Sequence, residues 1–161
     1  MCDVGAKLTV KDSKGRTPLM YASAKGYNEI VNYLTLRTKD LNEEDANSLT
    51  ILIHYLFKSD FKMASKLIIR GSDVNYVNRN GNTALHLLIE NNTFNEKGVG
   101  SMIEGIAFLL KKGADPHIMD LNDEDACDKA KKNGVAILIP IFNNCNKKLK
   151  KKPIVPRMDE S

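Results

Sequence analysis

The chain has 161 residues, 42% of them apolar and 27% charged, and a net charge of +4. That composition can bury a core, which excludes compositional disorder, and no run approaches the roughly 18 apolar residues of a membrane helix. Six basic and two acidic residues after Cys145 carry the whole charge excess, so residues 1–145 sum to zero and make no general electrostatic claim on phosphate. The N-terminus lacks a basic region followed by an apolar stretch, so no signal peptide is expected. Cys2, Cys127 and Cys145 are odd in number and form no closely spaced pair, which reads as free thiols in a reducing, cytoplasmic setting.

The chain repeats itself. Thr17, Thr50 and Thr83 stand 33 residues apart, each preceded by a polar turn: Asp12 to Arg16, Asp45 to Leu49 and Asn78 to Asn82. In chain order, Thr17 suits a helix N-cap and Pro18 the first helical position, where the missing N–H has no partner to lose. Leu19, Ala22, Ile30, Val31 and Leu34 recur at helical spacing and are expected to form one buried face. Gly26 and Gly71 fall where a turn needs positive φ. Tyr55, Leu56 and Phe57 replace the small Ala22, Ser23 and Ala24, so the second copy has a bulkier first helix. Turns close the copies at Asp40-Leu41-Asn42, at Asp73-Val74-Asn75 and at Gly113-Ala114-Asp115. The last lies nine residues late, which places an insertion near residues 92–100. A worn fourth copy follows Asp120, with Asp125 in place of Thr, and Pro140 should kink or shorten the final helix.

Catalytic chemistry finds no support. His54, His86 and His117 have no carboxylate or cysteine at metal-ligand spacing. Gly98-Val99-Gly100 lacks the third glycine of a phosphate loop, since Ile103 stands there, and reads as a flexible loop. Asn91-Asn92-Thr93 is a glycosylation sequon without meaning inside a cell. No Ser, His and Asp set has a recognisable local signature, so no catalytic, cofactor or metal residue is expected and the chain reads as a non-enzyme.

Gly15-Arg16-Thr17-Pro18-Leu19, Gly81-Asn82-Thr83-Ala84-Leu85-His86 and the exits at Gly71-Ser72-Asp73-Val74-Asn75 and Gly113-Ala114-Asp115 resemble the ankyrin repeat. The resemblance implies an all-α solenoid of about four helix-turn-helix repeats linked by β-hairpin-like loops. Its parts are an exit hairpin of a partial preceding repeat (1–11, from Gly5-Ala6-Lys7-Leu8), repeats at 12–44, 45–77 and 78–119, a capping repeat at 120–145, and a basic tail or linker at 146–161. It implies that His86 bonds neighbouring backbone. It also implies a protein–protein interaction module that uses its concave face and hairpin tips, with a protein partner of unknown identity. No cofactor, small-molecule substrate or membrane insertion is expected, and the chain reads as a monomer. One alternative is a regulatory or targeting domain of a larger enzyme or channel, suggested by the half-repeat at Gly5. Another is nuclear or nucleic-acid association through Lys147 to Lys152 and Pro153, which the neutral body argues against.

In ankyrin repeats the variable contacts come from the hairpin tip and the end of the first helix. By offset these are Ser13, Lys14, Arg16 and Lys25 in the first repeat, and Ala46, Asn47, Leu49, Phe57 and Lys58 in the second. The third offers Arg79, Asn80, Asn82, Glu90 and Asn91, and the fourth Leu121, Asn122 and Glu124. Leu49 and Phe57 are expected to stand exposed on the inner face, with Arg16, Lys25 and Arg79 as a polar rim. Leu67, Asp73, Val74 and Asn75, and less closely Leu34, Asp40, Leu41 and Asn42, match the pattern used by asparaginyl hydroxylases of ankyrin repeats. The simpler reading is that Asn75 and Asn42 stabilise their own hairpins through local backbone bonds.

Overall fold

The computed structural model describes residues 7–91 and 98–143. Gly5, Ala6, Cys2, Cys145, the stretch 92–97 and the lysine run from Lys147 to Lys152 lie outside the described residues. Eight α-helices follow in order: α1 (Pro18–Lys25), α2 (Asn28–Thr35), α3 (Ile51–Phe57), α4 (Phe61–Ile69), α5 (Ala84–Asn91), α6 (Gly98–Lys111), α7 (Ala126–Lys132) and α8 (Ile139–Asn143). The described residues contain no strand. They fall into two compact units, residues 7–55 with 62–73, and residues 56–61 with 74–91 and 98–143.

One turn is built four times. Asp12 Oδ1 accepts the N–H groups of Lys14 and Arg16, both at 2.9 Å. Asp45 Oδ1 accepts those of Asn47 and Leu49 at 2.8 and 3.0 Å. Asn78 Oδ1 does the same for Asn80 and Asn82, and Asp120 Oδ1 for Asn122 and Glu124. In each turn the residue three on returns its N–H to the carbonyl of the Asp or Asn, at 2.8–3.2 Å. That residue has positive φ: Gly15 at 69°, Ser48 at 61°, Gly81 at 78° and Asp123 at 58°. A short side-chain acceptor can saturate a reversing backbone in this way without any strand.

The turn delivers the next residue to a helix start. Thr17 Oγ1 accepts the N–H of Met20 at 3.3 Å, capping α1, with Pro18 in the first turn as expected. In the fourth copy Asp125 takes over the cap of α7, accepting the N–H of Asp128, whose carboxylate accepts the N–H of Asp125 in return. Gly26 (φ 74°) and Gly71 (φ 109°) end α1 and α4, with the next N–H reaching back to Ala22 and Leu67. The first copy has no glycine after α2. There Thr38 closes the helix instead, giving both its N–H (2.8 Å) and its hydroxyl (2.9 Å) to the Leu34 carbonyl.

In the first unit Leu19, Ala22, Val31, Leu34, Ile51, Leu52, Ala64 and Leu67 are buried. Ile30 departs from the expected core. It is 49% exposed and lines an open apolar cleft of about 430 Å³ with Val10, Tyr21 and Tyr27, because the stripe that buries Val31 and Leu34 turns its neighbour outward. In the second unit Leu85, Ile89, Ile106, Leu109, Leu138 and Phe142 close the core. Two further readings change. Gly98, Val99 and Gly100 form the first turn of the 14-residue α6 and are not a loop. The extra residues therefore go partly into a longer second helix. After α7, residues Ala136–Leu138 form a 3₁₀ turn before the five-residue α8, in which Pro140 occupies the start, where its missing N–H costs nothing.

Gly15 and Gly81 also admit a neighbouring turn. A Cβ on Gly15 would lie 2.6 Å from the Ala46 nitrogen, which donates to the Lys14 carbonyl, and one on Gly81 would lie 2.4 Å from the Leu121 side chain. Gly71 has open space instead. Gly71→Ala is therefore expected to cost about 1–2 kcal/mol, the strain of positive φ alone. Gly81→Ala should cost about 2–4 kcal/mol, since it adds overlap with Leu121. Urea unfolding of the two variants checks the order.

Candidate functional site

The second oxygen of each turn carboxylate finds its own partner, which is the residue nine positions on for Asp45 and Asp120 and is Arg16 for Asp12. In the first unit Asp45 Oδ2 lies 2.8 Å from His54 Nε2. Asp12 Oδ2 pairs with Arg16, 2.8 Å from both Nε and Nη2, and the Arg16 guanidinium lies 5.1 Å above the ring of Tyr21. Backbone and side-chain donation from Arg16 hold the Asp12 carboxyl below the usual range. In the second unit Asp120 Oδ2 pairs with Lys129 Nζ at 2.9 Å. Where the turn residue is the neutral Asn78, the ninth residue is the uncharged Leu87.

Lys129 is buried on α7, with only 7% of its side chain exposed. Its ammonium also meets Glu90 on α5 and, at 3.3 Å, Asn82 Oδ1. Burial opposes charge on both Lys129 and Asp120, but mutual pairing outweighs it. Lys129 is raised above its ordinary value, and Asp120, which also accepts the Glu124 and Asn122 N–H groups, is held down at about 2. Beside this cluster His86 is fully buried. Its Nδ1 accepts the Thr83 N–H at 3.1 Å, so Nε2 carries the proton and donates to the Glu124 carbonyl at 3.1 Å. Burial first, and then the Lys129 charge, lowers the pKa of His86.

The expected contact residues separate into exposed and engaged groups. In the first unit Ser13, Lys14, Ala46 and Asn47 are exposed at the turn tips, and Lys25 lies exposed at the end of α1. Arg16 (5.1 Å) and Lys25 (5.8 Å) both face the ring of Tyr21, which is 43% exposed. Offset mapping misses Tyr21, although Thr17, Tyr21 and Lys25 at four-residue spacing mark a single helix face. Leu49 is half-buried, its N–H held by Asp45.

In the second unit Lys58, Arg79, Asn80, Leu121 and Asn122 are exposed. Phe57 is half-buried against Leu56, Leu88, Asn91, Ser101 and Met102, so neither it nor Leu49 stands free as expected. The reason for Phe57 is that the N-terminal turn of α6, with Ser101 and Met102, reaches the end of α3. Asn91 is half-buried in the same cleft, Asn82 and Glu90 serve Lys129, and the Glu124 carboxylate pairs with Lys132 at 2.9 Å.

Asn42 and Asn75 act at longer range than their own hairpins. Asn42 Oδ1 accepts the Asp73 N–H at 2.9 Å, and Asn75 Oδ1 accepts the Asp115 N–H at 2.7 Å while its amide donates to the Gly113 carbonyl. Each thus bonds the exit turn of the following copy. Cys127 is a half-buried free thiol. Among the described residues no group of three or more His, Cys, Asp or Glu side chains is placed to hold a metal, and no helix is long and apolar enough to cross a membrane.

This geometry agrees with what known proteins show. The ankyrin-repeat family model matches residues 14–46 and 80–121, and the second copy, with the same turn at Asp45 and its own helix pair, lies between them. An ankyrin repeat protein of Acanthamoeba polyphaga mimivirus is 30% identical over 122 residues. That match covers 60% of this chain but only 16% of the viral protein. The crystal structure of an ankyrin repeat domain from Acinetobacter baumannii AYE superposes with a TM-score of 0.67 at 28% identity, over 86% of this chain and 70% of that one. The fold is the all-α ankyrin-repeat architecture. The chain contains an ankyrin-repeat domain, a class whose members are in general protein–protein interaction modules.

Two outcomes follow from the buried cluster. Lys129→Met leaves Asp120 without its cation and is expected to cost about 3 kcal/mol in urea unfolding. Asp120→Asn with Lys129→Leu recreates the Asn78–Leu87 pairing and should recover most of that loss. The pH dependence has a defined sign. His86 ionises below its ordinary value of 6.5 in the fold, so its neutral form contributes fully above pH 6.5 and progressively less as the pH falls below it. The Asp120 contribution is complete above pH 3.8 and is lost towards about 2. Melting temperature should fall as the pH is taken below 6.5 in the wild type and fall less in His86→Gln.

Proposed function

We propose that this chain is a non-enzymatic recognition module that grips a partner protein with the exposed hairpin tips and the inner faces of its first helices. The observation that carries this reading is Tyr21. An aromatic ring faced by two cations, on the same unit as the open tips of Ser13, Lys14, Ala46 and Asn47, has the chemistry of an interface anchor with a polar rim. Cation–ring contacts fix the side chains before any partner arrives, which lowers the entropy lost on binding. Arg79, Asn80, Leu121 and Asn122 give the second unit comparable open tips.

A second reading is favoured by one fact. The mimiviral relative is far longer than the segment it shares with this chain, so the same module would serve as a targeting or regulatory part of a larger polypeptide. Affinity purification with the full chain, followed by mass spectrometry, supplies the partner for a binding measurement. Tyr21→Ala should then weaken binding about tenfold or more, while the loss of its two cation–ring contacts lowers the melting temperature by only a few degrees and leaves the fold intact for the measurement. Equal affinity in Tyr21→Ala and in Arg79→Glu would remove the tips and inner faces as the binding site.

A further inference from the structure

On the outer side of the first unit, α2 and α4 border a groove of about 310 Å³. Leu36, Met63 and Ile69 give it an apolar floor and wall, and Lys66 and Arg70 line it as well. None of its lining residues is acidic, and neither Lys66 nor Arg70 has a carboxylate partner among the described residues. Leu36 is 53% exposed and Ile69 77% exposed, the latter the most exposed large apolar side chain described.

The period of 33 residues makes the oddity specific. Leu36 and Ile69 are equivalent positions, as are Tyr33 and Lys66, and Arg37 and Arg70. In the first copy the Arg37 guanidinium rests 3.7 Å from the centre of the Tyr33 ring. In the third copy Lys112 lies over Phe108, again four residues apart. The second copy breaks this pattern. Lys66 replaces the ring, which leaves two like charges one helical turn apart, an arrangement that destabilises a helix. A helix C-terminus favours a cation, and that explains the charge of Arg70. It does not explain two unsatisfied cations beside an isoleucine left in solvent.

We propose that this groove docks an acidic amphipathic helix of a partner protein, with an apolar side chain seated on Leu36, Met63 and Ile69 and carboxylates paired with Lys66 and Arg70. Charge complementarity selects an acidic occupant. The concavity selects a side chain over a flat lipid surface, and grooves between helices accept helices whose anchors recur every three to four residues. The groove shares no lining residue with Tyr21 or the hairpin tips, so it stands or falls independently of them.

The test is selection of a displayed library of random peptides, long enough for about four helical turns, against the full chain. Enriched sequences are expected to combine Asp or Glu with Leu, Ile or Phe at spacings of three and four. A synthetic copy of one should bind the full chain and lose about tenfold or more in affinity to Ile69→Asp and to Lys66→Glu, with Tyr21→Ala unchanged. Ile69 and Lys66 are exposed, so these variants should melt like the wild type. Peptides without an acidic–apolar pattern, or affinities that neither groove variant lowers, would overturn the proposal; the latter result would assign the binding to another basic segment. Sedimentation with phosphatidylserine vesicles is the companion measurement. Vesicle binding that Ile69→Asp abolishes would make the groove a lipid contact and overturn the peptide reading.

Discussion

The fold depends on one oxygen atom used four times. At positions 12, 45, 78 and 120 an Asp or Asn Oδ1 accepts two N–H groups from the following turn. A tight reversal that ends in a helix has more backbone donors than its own carbonyls can satisfy, and a buried N–H without a partner costs about 1–3 kcal/mol. The acceptor settles that deficit locally. It also sets the geometry of everything after it: a residue with positive φ three positions on, and a Thr or Asp at the helix start two positions later. An aspartate in this role brings a second oxygen with a charge, and that oxygen must be answered. His54, Arg16 and Lys129 answer it, with Tyr21 behind Arg16, whereas Asn78 carries no charge and tolerates Leu87 at the ninth position.

This constraint orders the rest of each unit. Asn42 and Asn75 tie successive exit turns together through their side chains, so the period is maintained at both ends of each helix pair. The fourth copy carries the same demand at greater cost, because Asp120 and Lys129 are both buried. Burying either ion alone would cost several kcal/mol, and the pair is tolerable only because Glu90, Asn82 and two backbone N–H groups complete the shell. The same shell surrounds His86, whose tautomer is fixed by Thr83 on one side and Glu124 on the other.

Most of this was legible in the sequence, because period, turn residues and caps are local signals. The spacing of Thr17, Thr50 and Thr83 carries the repeat, whereas Pro140 stands at the start of α8 and interrupts nothing. What escaped was set by contacts between distant positions. A lysine in a short helix rich in lysine reads as solvated, and nothing near Lys129 in the chain announces that Asp120, Asn82 and Glu90 converge on it. Offset alone therefore places Asn82 and Glu90 among the partner contacts, although both engage Lys129. The position of Phe57 in its repeat does not reveal its cover, which comes from Ser101 and Met102 on a helix that starts with two glycines in its first three residues. Ile30 failed in the opposite sense. It has helical spacing, but the spacing defines a stripe, and a residue beside Val31 falls at the stripe's edge.

The way the turns are built explains why such a scaffold can vary its surface without losing its fold. The bonds that close each reversal use backbone N–H, backbone carbonyl or the single Asp or Asn Oδ1. Lys14, Ala46, Asn47 and Asn80 enter the reversal through their main chain, so their side chains can change without touching those bonds. Gly15 and Gly81 cannot, because a neighbouring turn occupies the space of their Cβ. Function drawn from the tips is thus chemically independent of stability, whereas function drawn from the ninth position is not. Tyr21 sits at that position in the first copy, and its two cations belong in part to the turn, since Arg16 also neutralises Asp12. An anchor placed there is rigid because the turn needs it to be, and its specificity can evolve only as fast as Asp12 can find another partner.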